Sequence, residues 1–438
     1  MSKSSLLIAN GRVFDPGRRI DIMGSLLVEN GLISGVVGID CPSDATAERT
    51  YDARGRLVTP GLIDLHVHLR QPGQEHKETI ATGSRAAAAG GFTTICCMAN
   101  TSPPVDNRGQ LEFVRATASR EAIVRVYPLA AVTVGMRGNE LTEMGDLADA
   151  GAIAFSDDGV PLRNGRVMRH ALEYARTFSR PLMPHCDDPD LIAGASMHEG
   201  AVAARLGLRG MPAASEEAAV ARDVALCGLT GCRLHVCHVS TAGAVEIIRL
   251  GKRRGFPVTA EATPHHLSIT DEWVAGVRWD GRGEPYDTHT KMNPPLRSEA
   301  DRQALIAGMI DGTIDAIATD HAPHAVVDKE VEFDDAAFGI TGLETALGVL
   351  GRLVARGELP LDLVIERLTS GPARVFGLPY GSLVPGAPAD VTVIDPAAPW
   401  TVRAEEFVSK GRNSPYVGQT LVGRADLTVV GGAVVFER

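Results

Sequence analysis

The feature that most constrains this 438-residue chain is a change of texture: between about residues 62 and 378, short apolar runs alternate with helical stretches rich in Ala, Leu and Glu. Alternation of that kind calls for crossover connections and a parallel sheet. Eight candidate strands can be counted, at 62–68, 93–98, 124–132, 152–156, 181–185, 233–239, 258–262 and 314–319. Eight parallel strands close a (β/α)8 TIM barrel, an α/β fold. Helix-forming composition fills 78–89, 167–177, 215–229 and 343–355, and acidic residues after Ser215 suit the dipole at a helix start. An open doubly wound sheet is the competing architecture. Against it, no G-x-G-x-x-G follows the first strand, and Gly90-Gly91 ahead of Phe92 reads as a helix end.

The flanks read differently. Residues 6–59 show short alternating runs, such as 25–29 and 32–37, broken by Asn10-Gly11 and Asn30-Gly31. Asn-Gly between such runs is a hairpin signal. The same style returns at 389–394 and 425–436, around Gly431-Gly432. Both ends therefore read as halves of one small β-sandwich, 1–60 and 381–438, with the catalytic barrel at 61–380. The stretch 279–290, with Gly281, Gly283, Pro285 and several charges, carries no motif and reads as a mobile loop.

Composition narrows the function classes. Lys and Arg total 43 against 54 Asp and Glu, a formal charge of −11, the wrong sign for a protein held by phosphate contacts. No nucleic-acid partner is expected. The apolar run at residues 6–9 is too short for a signal-peptide core, and no stretch approaches the about 18 apolar residues of a membrane span. The expectation is a cytoplasmic protein with no membrane partner. Seven scattered cysteines without a paired C-x-x-C motif read as buried, reduced thiols.

In a (β/α)8 barrel the chemistry sits at the carboxyl ends of the strands, where the unusual polar residues of this chain fall. His66 and His68 end the first strand and, two apart, share a face. Alone, such a pair is more often two polar residues on a solvated surface than a chelate. The wider set changes that weighting. Asp157-Asp158 ends strand four, His185 ends strand five, His238 lies near the end of strand six and Asp320 ends strand eight. Imidazoles and carboxylates brought together in this way are ligands for Zn2+ or a similar divalent ion. Arg70, two beyond His68, adds a guanidinium on the same face, so an anionic substrate is implied. Asp320-His321-Ala322-Pro323-His324 packs a carboxylate and two imidazoles into one loop. His235 faces away from His238 and reads as structural, and His265-His266 stay open as candidates at the end of strand seven. His76, His170, His198 and His289 default to the surface.

Asp64-Leu65-His66-Val67-His68-Leu69-Arg70 resembles the opening motif of the amidohydrolase superfamily in its dihydroorotase form. Ala318-Thr319-Asp320-His321-Ala322-Pro323-His324, with Lys329 five residues on, resembles the second dihydroorotase signature. Asn100-Thr101, His238-Val239-Ser240, Asn293-Pro294-Pro295-Leu296-Arg297 and Phe338-Gly339 extend the resemblance over nearly the whole chain. It implies a barrel of the metal-dependent hydrolase type that interconverts N-carbamoyl-L-aspartate and (S)-dihydroorotate plus water in pyrimidine (UMP) synthesis. It also implies zinc, one or two ions per subunit. His66 and His68 would hold one ion, His185 and His238 a second, Asp158 would bridge them, and Asp320 would be both ligand and catalytic proton shuttle. Asp158 is preferred to Asp157 because its spacings to His66 and His185 match the family. His68, Arg70, Asn100, Asn293, His324, Phe338 and Gly339 are the implied substrate contacts.

Related hydantoinases, dihydropyrimidinases and allantoinases bridge their metals with a carboxylated Lys from strand four, where this chain has Ser156-Asp157-Asp158. The Asp form resembles the single-function bacterial dihydroorotases. A homodimer is implied, and association with aspartate carbamoyltransferase is left open. An inactive scaffold for that transferase is the reading from another class, and it fits poorly because every expected ligand is present.

Overall fold

The computed structural model describes residues 5–438; residues 1–4, at the head of the segment read for a leader, lie outside the described residues. Five strands precede the barrel: β1 (Ser5–Asp15), β2 (Ile20–Glu29), β3 (Leu32–Val36), β4 (Arg49–Asp52) and β5 (Leu57–Pro60). Asn30 and Gly31, both at positive φ, turn β2 back on β3, as a two-residue hairpin requires. Asn10-Gly11 does not turn the chain. It lies inside β1, where the register with β2 shifts between Ile8 and Gly11, and a side chain at Gly11 would collide with Val58. The positive φ of Asn10 here serves a bulge in one long strand rather than a hairpin.

β6 (Leu62–Val67), β7 (Phe92–Cys97) and β8 (Arg125–Pro128) then pair in parallel. After the short parallel pair β9 (Met197–His198) and β10 (Gly210–Met211), a second parallel set follows: β11 (Leu234–Val236), β12 (Val258–Ala262) and β13 (Ala316–Ile317). Single parallel bridges join the two sets, from Ala130 to Phe155, Phe155 to Leu182 and Leu182 to Leu234, and Val67 to His321 closes the ring. The expected fourth and fifth strands are thus staves reduced to bridges. Eight parallel staves make the barrel. Helices Ile80–Gly90, Gly165–Thr177, Ala213–Thr230 and Ala346–Ala355 occupy the four helical stretches expected. Gly91, at positive φ, caps the first of them.

The chain ends in β14 (Val391–Thr401), β15 (Thr420–Val430) and β16 (Ala433–Glu437), with Gly431-Gly432 as the last hairpin. β14 pairs antiparallel with β5, so both termini share one eight-stranded hydrogen-bonded sheet rather than two separate ones. Its apolar core mixes Ile8, Val13, Leu26 and Val58 with Val391, Val393, Leu427 and Val429. Neither end could bury that face alone, which is why they meet. Not all of 381–438 belongs to this sheet. Between β14 and β15, residues 402–419 cross to the barrel mouth, where Asn413 bonds Ala322 and Gly339.

The stretch 279–290, read as a mobile loop, is exposed over 280–286 and is tied down at Trp279 and Tyr286. Trp279 stacks on Tyr416 with ring centroids 5.5 Å apart, and the Tyr286 hydroxyl donates to the Leu206 carbonyl over 2.8 Å. All seven cysteines are free and six are buried; Cys41 is half-buried. No helix among the described residues is long and apolar enough to cross a membrane.

Candidate metal and substrate site

Buried acids set the frame at the carboxyl rim of the barrel. Asp64, in β6, accepts the N–H groups of His66 and Thr319 at 3.1 Å and the Thr319 hydroxyl at 2.5 Å, tying stave one to stave eight. Asp157 takes the N–H groups of Val132 and Thr133 at 2.7 and 3.2 Å and also the Thr133 hydroxyl. It is thereby committed to the scaffold, and Asp158 is the acid that faces the rim. Arg70, His238 and Asp320 have φ of +60°, +31° and +49°. L-residues are strained there, so surrounding hydrogen bonds rather than strand pleat aim these three side chains.

Asp158 Oδ1 lies 3.3 Å from His238 Nε2, 3.5 Å from His66 Nε2 and 3.7 Å from His185 Nδ1. Asp320 Oδ1 lies 3.0 Å from His68 Nε2 and 3.6 Å from His66 Nε2. His185 Nδ1 and His238 Nε2 are 3.0 Å apart. The structure therefore brings all six expected ligands together. Among the described residues, His66 belongs to three groups of three converging donors: one with His68 and Asp320, one with Asp158 and His238, and one with Cys237 and Glu261. Its Nε2 is buried with no hydrogen-bond partner, although two carboxylates stand beside it. Lone pairs facing one another repel unless positive charge lies between them. A buried set of imidazole nitrogens and carboxylate oxygens fits a divalent cation such as Zn2+.

Protonation follows the same logic. Burial opposes charge on each group, yet the surrounding imidazoles hold Asp158 well below the usual carboxylate range, and Asp158 holds His66 well above the usual imidazole range. Burial lowers His185 too, but Asp158 and Asp187 carry it up to about 10. Against its own burial, Asp320 is drawn below the ordinary range by His68 and His66. For His68 burial prevails and the pKa falls. A cluster that draws protons onto buried imidazoles is one in which a cation is stabilised.

Behind His66 stands Glu261 of β12, which the sequence reading passed over. Its Oε1 lies 2.7 Å from His66 Nδ1 and its Oε2 3.1 Å from His235 Nε2. The carboxylate holds a His66 proton on Nδ1, so that toward a cation the neutral ring would present Nε2 as a lone pair.

A cavity of about 210 Å³ opens beside this cluster, and the structure places His68, Arg70, Asn100, Asn293, His324, Phe338 and Gly339 on its wall. Arg70 Nη2 lies 3.4 Å from His324 Nε2. Enclosure lowers the guanidinium to about 10, so it stays charged at neutral pH. Burial, with Arg70 nearby, pushes His324 down to about 3, and the neutral ring donates from Nε2 to the Phe338 carbonyl at 2.8 Å. Asn100 Oδ1 lies 2.9 Å from His68 Nδ1, so this side chain orients the His68 ring as well as facing the cavity. Asn293 Nδ2 lies 3.1 Å from His185 Nε2, and its Oδ1 is buried without a partner.

Comparison with known proteins decides the family. A family model described as Dihydro-orotase-like matches residues 55–244. A dihydroorotase of Anaeromyxobacter dehalogenans (strain 2CP-C) is 53% identical over 433 residues, which span 99% of this chain and 98% of that protein. The chain belongs to the dihydroorotase family. A dihydroorotase of Geobacter metallireducens is 48% identical over 435 residues, covering 99% of this chain and 100% of its own. Among solved structures, the L-hydantoinase (dihydropyrimidinase) from Arthrobacter aurescens superposes with a TM-score of 0.87 at 27% identity, covering 99% of this chain and 96% of that one. The dihydropyrimidinase from Brevibacillus agri NCHU1002, at 21% identity and a TM-score of 0.84 over 99% and 95% of the two chains, shares the fold.

The other histidines of this dihydroorotase-family chain sort by their partners. His235 is buried against Glu261 and Thr259, outside the cluster but linked to it through Glu261. His266 bonds the Thr263 hydroxyl and the Pro294 carbonyl, whereas His265 has a buried Nε2 without a partner; neither lines the cavity. His76 and His170 are exposed. His198 is not on the surface as expected. It is buried, with Nδ1 3.3 Å from Arg297 Nη1, and His289 is half-buried. The signal for Glu261 was present in the sequence: it is the one acid in an otherwise small and apolar strand.

Proposed function

We propose that the protein is a zinc-dependent dihydroorotase, a hydrolase that reversibly cleaves the ring C–N bond of (S)-dihydroorotate to give N-carbamoyl-L-aspartate. The observation that carries this reading is that Arg70 and five of the six clustered donors, His68, Asp158, His185, His238 and Asp320, line one small cavity. A substrate with a carboxylate at one end and a cyclic amide at the other meets both needs. In this reading His66, His68, Asp158, His185, His238 and Asp320 hold one or two Zn2+ ions per subunit. Bound there, such an ion would supply a water of lowered pKa and Lewis-acid polarisation of the amide carbonyl.

The chain's own groups do the rest. Arg70, with Asn100 and His324 beside it, holds the substrate carboxylate and turns the ring toward the cluster. Asn293 Oδ1, without a protein partner, accepts a ring N–H, and the Phe338-Gly339 backbone bounds the ring. Asp320 is ionised at neutral pH, so it can take the proton of the attacking water and deliver it to the ring nitrogen as the C–N bond breaks. In the reverse direction it takes a proton from the ureido nitrogen as the ring closes and water leaves.

Metal analysis beside turnover of dihydroorotate and of uncharged dihydrouracil tests the reading. Zinc-loaded protein should prefer dihydroorotate, and Arg70→Met should erase the preference by raising KM for the acid. Equal processing of the two compounds by the native protein would refute it. The same reading carries a cytoplasmic homodimer; chromatography of the chain alone and mixed with aspartate carbamoyltransferase tests its assembly.

A further inference from the structure

We propose that Asn413, which the chain sends across from the terminal sheet, is a positioning residue that sets the substrate-carboxylate end of the cavity by splicing the His324 loop to the Gly339 loop. The inference rests on the proposed reading in which His324, Phe338 and Gly339 contact substrate. Residues 402–419 leave the sheet between β14 and β15 and return to it through a closed neck. There the Val402 N–H donates to the Gln419 carbonyl at 3.0 Å and the Gly418 N–H to the Val402 carbonyl at 2.9 Å. The excursion is anchored on both flanks. The Glu344 carboxylate accepts the N–H groups of Val408 and Ser409 at 3.0 Å, and the buried Tyr416 hydroxyl pairs with that of Ser268 at 3.1 Å.

Between those anchors Asn413 is buried and uses both ends of its amide on backbone. Oδ1 accepts the His324 N–H at 2.9 Å, while Nδ2 donates to the carbonyls of Ala322 at 3.0 Å and Gly339 at 3.1 Å. Its own carbonyl accepts the Thr341 N–H at 2.9 Å. One acceptor and two donors on a short side chain is an inventory that only Asn supplies here: Asp has no donor for the two carbonyls, and Gln is longer by a methylene. The chain approaches this loop so closely that a Cβ on Gly411 would come within 2.5 Å of Pro323. The two loops so joined carry His324, beside Arg70, and the Phe338 carbonyl that orients its ring. Asn413 makes no hydrogen bond to any of the six metal-cluster residues, so its loss should move substrate binding and not metal retention.

The test compares zinc-loaded wild type with Asn413→Asp and Asn413→Ala. In both variants KM for dihydroorotate should rise about tenfold or more with kcat within ~threefold and metal content unchanged, the pattern of lost binding rather than lost chemistry. Amide hydrogen exchange of segments 322–324 and 339–341 should accelerate in the same variants. Gly411→Ala, which keeps the amide but crowds Pro323, should raise KM in the same direction and serves if the Asn413 variants do not fold. Unchanged KM and unchanged exchange would overturn the proposal, as would a fall in kcat that tracks lost metal. If wild type ignores dihydroorotate, the functional reading fails; the exchange measurement then decides the splice by itself.

Discussion

Glu261 illustrates how one buried acid can govern a site without entering it. Burial favours its neutral form, yet bonds to His235 and His66 bring its carboxyl down to about 2, so it confronts His66 as an anion. Glu261→Gln should keep the shape and lose that charge, weakening divalent-ion affinity by about 10- to 100-fold, the usual cost of losing such an outer partner. Competition against a chelator of known affinity measures this, and wild-type affinity in the variant would contradict the role. Asp320 differs in kind because its carboxylate reaches the cavity. Asp320→Asn should lower kcat by ~10²-fold or more, assayed per metal-loaded site; near-native turnover would remove it from the reaction. His66 and His68 were legible as a local spacing, whereas Arg70, at positive φ beyond the end of β6, reaches the site by a turn that the two-residue period does not describe. Glu261 stood out in the sequence only as the lone acid of its strand; its role depends on a histidine of another stave lying 2.7 Å away.

Elements respond to packing and to pH in ways their own sequences do not announce. The helix Ala346–Ala355 lies so close to β15 that a side chain on Gly351 would collide with the Val422 carbonyl. Gly351→Ala should therefore destabilise the fold by about 1–3 kcal/mol, as overpacking does, with metal content unchanged; denaturant titration would read it. Glu344, just ahead of this helix, binds the crossing segment through Val408 and Ser409. Burial outweighs those two donors and lifts its carboxyl from 4.5 to about 7. Between those values the folded protein holds a proton that the unfolded chain has released, so this group's contribution to stability falls as pH rises through the window. The melting temperature of Glu344→Gln relative to wild type should thus climb from about pH 5 to about pH 8. Parallel curves would discount the effect. Asn30-Gly31 and Asn10-Gly11 carry the same dipeptide, yet one is a turn and the other a bulge, because β1 continues past Gly11 into pairing with β5.

For the molecule as a whole, the ligand cluster is a concentration of buried charge that a cation would relieve. Loading with Zn2+ should raise stability by about 2.7 kcal/mol when free ion stands at ~100 times its Kd, and chelation should reverse it. Thermal melts that ignore metal would count against the cluster as an ion site. The sequence by itself determined the alternation that makes eight staves, the terminal strands, and the spaced His and Asp residues at the stave ends, because pleat, helical period and turn chemistry act over a few residues. Only the tertiary structure decided that β5 pairs with β14, that Trp279 is pinned on Tyr416, and that Asn413 reaches the cavity wall. Those contacts join residues remote along the chain, and local periodicity holds no record of which distant partner will satisfy a buried face or an unpaired carbonyl.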